Sequence, residues 1–182
     1  AKGSNINATI GTAFENDGSP LTLECLAEKV GLDRKAFLYT PSYGLPALRK
    51  KWQEMMVEKN PSLAGKTFST PVVTQALTHG LSVASFLFID QDDKVILPDL
   101  YWDNYDLLMH EGYGAQLTTF PMFKDDLFNT AGLEKLLLAE GEKKIVLLNF
   151  PNNPTGFTAS VDCVTRIKNV IMKATEAGKK LI

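Results

Sequence analysis

The sequence predicts an α/β protein of three layers, αβα, with helices on both faces of a mainly parallel β-sheet. Three features carry this reading. Short apolar runs of strand length, "KVILPD", "AQLTTFP" and "KIVLLNFP", alternate with longer stretches of helical spacing. Strands that alternate with helices imply βαβ units whose sheet is covered on both sides. The unusual segments "QALTHGLS", "LPDLYWDNY" and "NFPNNPTG" each fall at or directly after a predicted strand, so the topology brings them to one edge of the sheet, where ligands of such folds collect.

Taken in order, residues 1–40 read as a partly irregular amino-terminal segment in which "LTLECLAEKVG" is a candidate helix, and residues 41–182 as the layered domain. Apolar residues at 45, 48, 52, 55 and 56 have helical spacing, with Pro46 suited to the first turn and "NPS" from Asn60 as the stop. Residues 67–77 read as a strand and 78–89 as a buried helix. A buried strand follows at 94–99, a helix at 102–113 and a strand at 115–121. Residues 129–144 carry Asn129 as a cap, with Leu133, Leu136 and Leu137 on one side. The strand at 144–151 leads to a helix whose expected face is Val161, Val164, Ile167, Ile171 and Ala174, closed by Gly178. The last three residues, "KLI", read as a strand just begun.

Composition excludes several classes. The chain has 182 residues, 45% apolar and 22% charged, with a net charge of -2. That is an ordinary globular balance, with no electrostatic reason to expect a nucleic acid or an acidic membrane surface. No apolar run approaches the roughly 18 residues that span a bilayer, and the polar start lacks a signal-peptide core. Cys25 and Cys163 lie far apart, without zinc-ligand spacing, and suit a reducing, cytoplasmic compartment.

Three segments carry chemistry. In Thr78-His79-Gly80 a hydroxyl residue and a glycine at a helix start leave N–H groups free for an anion such as phosphate, or form a plain cap. Tyr101, Trp102 and Tyr105 past a strand end either stack on a flat ring or bury area. In "NNPTG", Asn153 before a proline is held extended, as part of an ordinary turn or as a fixed hydrogen-bond donor; the turn formers exceed what a turn requires.

"NFPNNPTG" resembles the Asn-Pro-x-Asn-Pro-Thr-Gly signature of class I/II, fold-type-I aminotransferases, which depend on pyridoxal phosphate. "YTPSYGLPALRKKW", "THGLS", "LPDLYWDNY" and "NATIGTAFENDGSP" are similar to further family segments, in the family's order. The resemblance implies the large domain of that fold, incomplete in this chain. It also implies backbone groups of Thr78, His79 and Gly80 on the phosphate of pyridoxal 5'-phosphate, although the family places smaller residues at position 79. Trp102 would stack on the ring, with Tyr101 the rival, and Asn153 would meet the ring's 3-oxygen. Tyr39 would reach the cofactor phosphate of a neighbouring subunit in a homodimer, and Gly11 with Ile10 would approach the substrate. The parent activity implied is transfer of an amino group from an amino acid to a 2-oxo acid. The lysine that carries the cofactor covalently, the carboxylate at the ring nitrogen and the substrate-clamping arginine all belong after the strand that starts at "KKLI". No lysine here stands at the family's position, so the chain reads as the first part of a larger enzyme, inactive alone. A non-catalytic dimerisation or ligand-binding module is the alternative, as is a lyase of the same fold.

Overall fold

The computed structural model describes residues 11–182. Two compact units are present, the first ending at Pro71 and the second running Val72–Ile182.

In the first unit, the candidate helix at 21–31 forms a single turn, α1 (Glu24–Ala27), followed by a 3₁₀ turn at Arg34–Phe37 whose cap, Asp33, accepts the Lys35 N–H at 2.9 Å. Helix α2 (Pro46–Lys59) begins as expected on Pro46, where the missing N–H costs nothing. Asn60 ends it, its own N–H and Nδ2 both reaching the Met56 carbonyl at 3.0 and 2.9 Å. Among the described residues the apolar side of this helix is not buried: Leu45, Leu48 and Trp52 remain about half exposed. Arg49 lies 4.7 Å from the centre of the Tyr43 ring and donates to the carbonyls of Pro71 (2.6 Å) and Thr70 (3.2 Å).

The second unit holds the sheet. Strands β1 (Lys94–Pro98), β2 (Gln116–Phe120), β5 (Lys143–Val146) and β6 (Lys180–Leu181) pair in the order β2-β1-β5-β6, every pair parallel. Strand alternation divides the core. Ile96 faces one side, packed with Phe120, Leu133, Leu137, Cys163, Ile167, Val170 and Ala174 under α4 (Thr130–Leu138) and α5 (Val161–Glu176). Val95 and Ile145 face the other, with Ile89, Met109 and Ala115 under α3 (Ala76–Phe88) and a π-helical segment, Asp106–Glu111. The expected three-layer αβα arrangement around a parallel sheet is therefore present.

The structure corrects four local expectations. No strand forms over 67–77: Pro71 offers no N–H, no described strand pairs with the segment, and its last two residues already belong to α3. Strand β5 stops at Val146, with the Leu147 N–H reaching back to the Ile96 carbonyl, and the chain then leaves the ladder for the turn that holds Pro151 and Pro154. The buried face of α5 is Cys163, Ile167, Val170 and Ala174; Val161 and Val164 lie outside it, 85% and 52% exposed. A two-stranded hairpin, β3 (Phe123–Lys124) with β4 (Leu127–Phe128), occupies a stretch read as connection. Its turn residues Asp125 and Asp126 take φ of 51° and 57°, a left-handed conformation that Asp tolerates better than most residues.

Caps match the sequence closely. The Asn129 side chain accepts the Gly132 N–H at 2.9 Å and donates to the Pro121 carbonyl at 3.0 Å. Leu133 and Leu137 are fully buried. Gly178 ends α5 at φ 81°, the left-handed position where glycine carries no steric penalty. No described helix is long and apolar enough to cross a membrane.

Candidate functional site

Two loops leave the carboxyl ends of neighbouring parallel strands, β1 and β5. The first opens at Asp99, whose N–H donates to the Phe120 carbonyl and whose Oδ1 accepts the Met122 N–H at 2.8 Å. The aromatics follow. The Tyr101 hydroxyl donates to the Asp106 carboxylate at 3.1 Å, and its ring stacks on Tyr105 with centres 6.2 Å apart. Burial pushes the Tyr101 phenol above its usual range, and the Asp106 carboxylate adds to the rise. Tyr105 is buried, which raises its phenol too, while Asn149 facing its hydroxyl pulls the other way. Trp102 meets Tyr105 edge-on at 5.7 Å and stays partly exposed. Tyr101 is thus tied to Asp106 through its hydroxyl and to Tyr105 through its ring, and both Tyr101 and Trp102 stay partly exposed.

The second loop is the NNPTG turn, in which both the Phe150-Pro151 and Asn153-Pro154 bonds are cis. Asn152 is its centre and is 6% exposed. Its Oδ1 accepts the Thr155 N–H at 3.2 Å and the Thr155 hydroxyl at 2.7 Å. Its N–H donates to the Phe157 carbonyl, and its carbonyl accepts the Gly156 N–H. Its Nδ2 crosses to the other loop and donates to the Leu100 carbonyl at 3.2 Å. Phe150 and Phe157 anchor the turn on Phe128, with ring centres 5.6 and 6.1 Å away. Asn153 is exposed beside this knot. Sequence reading singled out Asn153 and missed Asn152. The signal was there: an Asn three residues before a Thr, the local side-chain-to-backbone pattern that builds turns.

The third segment is the amino end of α3. Five residues, 89–93, link α3 to β1, and Ile89 and Leu81 pack with Val95 and Ile145 on one face of the sheet. The helix starts at Ala76, two residues before the expected Thr78, with Ala76 at φ 60°. The Gln75 N–H donates to Nδ1 of His79 at 3.0 Å and the Ala76 N–H to the Thr74 carbonyl at 3.1 Å. Of the first-turn donors that lack intrahelical partners, those of Leu77 and Thr78 remain. In this register the Gly80 N–H falls inside the helical ladder. A Cβ at Gly80 would lie 3.3 Å from the Thr74 hydroxyl, so the glycine admits Thr74 against the helix start. Thr78 and His79 are exposed.

Of the remaining sequence-predicted residues, Tyr39 belongs to the first unit and is 92% exposed. Gly11 is exposed with open space around it, and Ile10 lies outside the described residues.

The pattern for aminotransferase class I and II matches residues 12–175. This chain belongs to that family. It is 26% identical over 178 residues to an LL-diaminopimelate aminotransferase of Dehalococcoides mccartyi, covering 95% of this chain and 44% of the relative. It is also 26% identical over 118 residues to an aspartate aminotransferase of Musicola paradisiaca, covering 65% and 29%. The crystal structure of an aminotransferase from Anaerococcus prevotii superposes with a TM-score of 0.80 at 26% identity, over 97% of this chain and 44% of that one. The family is one of transferases, and this chain spans less than half the length of the relatives it matches.

Proposed function

We propose that the second unit supplies the cofactor-holding shell of an aminotransferase that uses pyridoxal 5'-phosphate to move an amino group from an amino acid to a 2-oxo acid. The observation that carries this is the tie between Leu100 and Asn152, which joins the loop that carries a partly exposed indole to the turn that carries an exposed amide, at adjoining strand ends. The three elements fit the three parts of the group. The free N–H groups of Leu77 and Thr78 offer a phosphate the positive end of α3, with His79 capping the same turn through its ring and Gly80 letting Thr74 close against it. Trp102 offers an aromatic face. Asn153 offers a donor to the ring's 3-oxygen. Bound there, the cofactor supplies an electron-accepting ring. This chain's residues hold and orient that ring.

In the first unit, Gly11 and Ile10 approach the substrate from a closing segment at 7–20, within an amino-terminal stretch, residues 1–40, ahead of the large domain at 41–182. Tyr39 serves the phosphate of a neighbouring subunit's cofactor. Exposed Phe37, Leu38 and Tyr39 support a homodimer, since contiguous apolar surface of this kind marks interfaces. Two free cysteines agree with a cytoplasmic setting.

The test is a titration with pyridoxal 5'-phosphate followed by quenching of tryptophan emission in the Trp52→Phe background, where Trp102 is the only indole left. Saturable quenching that Asn153→Ala weakens by about tenfold, the order of one lost hydrogen bond to a charged group, supports the reading. Absence of saturable quenching refutes it.

A further inference from the structure

We infer that Asn152 is a positioning residue: its side chain sets the separation of the Trp102 ring and the Asn153 amide, and with it the slot that accepts a flat anionic heteroaromatic ring. The inference rests on the cofactor reading above and adds a residue that the ring itself need not touch.

A buried amide is costly unless its polar groups are used, and those of Asn152 are used in two directions. Three hydrogen bonds, two on Oδ1 from Thr155 and one from Gly156 to the carbonyl, close the turn on itself, and the Asn152 N–H bound to Phe157 completes it. The fifth, from Nδ2, leaves the turn for the Leu100 carbonyl, 52 positions away in sequence. Leu100 stands two residues before Trp102, and Asn152 directly precedes Asn153. One planar side chain therefore joins the backbone that carries the stacking ring to the backbone that carries the donor.

The aromatic anchor cannot make this link. Phe150 and Phe157 fasten the NNPTG turn to Phe128 and the hairpin, whereas Trp102 packs with Tyr105 in its own loop. Without Nδ2 the β1–β5 pairing and the contact of Asn149 with the Tyr105 hydroxyl still hold the bases of the two loops. The tie at Leu100, which lies nearest the residues that flank the slot, is lost. Catalytic and binding geometry tolerates little movement there, since a displacement of about 1 Å far from the chemistry is enough to cost rate or affinity.

Asn152→Asp isolates the link. The carboxylate keeps the shape and both acceptor bonds from Thr155, but it sets an acceptor against the Leu100 carbonyl. The experiment follows the Trp102 indole N–H resonance and backbone hydrogen exchange in the whole protein, in the Trp52→Phe background, with pyridoxal 5'-phosphate as the probe. Without the probe, N152D is expected to move the Trp102 resonance and speed exchange around Trp102 by about tenfold, while the amides of Thr155–Phe157 hold. Acidification protonates the introduced carboxyl, returns a donor to Leu100 and restores the resonance, and steady protection of the Thr155–Phe157 amides over the same pH range separates this from a recovery of turn stability. With the probe, affinity falls by about tenfold. If N152D fails to fold, Asn152→Ser, which keeps an acceptor for Thr155 but is too short to reach Leu100, carries the same measurement without the pH arm. A Trp102 resonance unchanged in the variant, or equal affinity for the probe in variant and wild type, overturns the inference and leaves the cofactor reading standing. A wild-type resonance indifferent to pyridoxal 5'-phosphate overturns both.

Discussion

Replacing Thr155 by valine should destabilise the second unit by about 1–2 kcal/mol, through hydrogen bonds alone. The hydroxyl donates to Asn152 Oδ1 at 2.7 Å and accepts the Phe157 N–H at 3.2 Å. Valine has the same shape and the same β-branch, so neither packing nor rotamer freedom changes appreciably. The first bond lies partly buried and is worth about 0.5–1.5 kcal/mol; its loss leaves Oδ1 with the Thr155 N–H only. The second is exposed, water replaces it in part, and it adds roughly half a kcal/mol. The sum corresponds to a fall in Tm of roughly 5–10 °C for a unit of this size. Thr155→Ser restores the hydroxyl, drops only an exposed methyl, and should recover most of the loss. Urea unfolding of the three proteins, followed by far-UV circular dichroism with the m-value held common, measures the order wild type, serine, valine. A valine variant within about 0.3 kcal/mol of wild type would refute the account of the turn as a hydroxyl-locked knot.

Other sites give independent expectations. Asn129→Ala should cost about 1–2 kcal/mol, because it removes the α4 cap and the tie to Pro121 together. Asn129→Asp keeps the cap and should lose less than half of that; a reversed order in chemical denaturation contradicts the cap assignment. Leu137→Ala, at a fully buried position between sheet and α5, should cost about 2–5 kcal/mol, and a loss under 1 kcal/mol would mean that the core is not packed as described. Burial raises Asp93, but the Lys143 ammonium and the Asp90 N–H outweigh it and hold the carboxyl below its ordinary 3.8. A depressed carboxyl stabilises the fold above its unfolded value and loses that contribution as the pH falls through the folded one. Stability should therefore decline with acid below about pH 4, less steeply in Asp93→Asn, and identical slopes would exclude the pair as a source of acid sensitivity.

Where the sequence spoke through local chemistry, it was specific. The near-continuous apolar runs placed β1 and β2 within a residue of their observed ends, and Asn129 and Gly178 marked helix limits because caps are decided by neighbours along the chain. The turn formers after β5 identified the loop that carries Asn153. What failed depended on partners. Residues 67–77 have strand composition, but a strand exists only with a neighbour. The buried face of α5 is set by where the sheet lies, and Cys163 and Val170 occupy it in place of Val161 and Val164 although all four are apolar. The amino end of α3 was misplaced by two residues because Ala76 adopts a positive φ, which its side chain does not advertise. The turn-closing role of Asn152 was legible in its spacing to Thr155, but its bond to Leu100 was not, because no local pattern records a contact across 52 residues.

The most direct test of the account is a crystal structure of the protein with pyridoxal 5'-phosphate. The account predicts the ring lying against the Trp102 indole, the Asn153 amide within hydrogen-bonding distance of the 3-oxygen, and the phosphate on the N–H groups of Leu77 and Thr78. A ring bound away from Trp102 and Asn153, or a phosphate held elsewhere than at the start of α3, would contradict it.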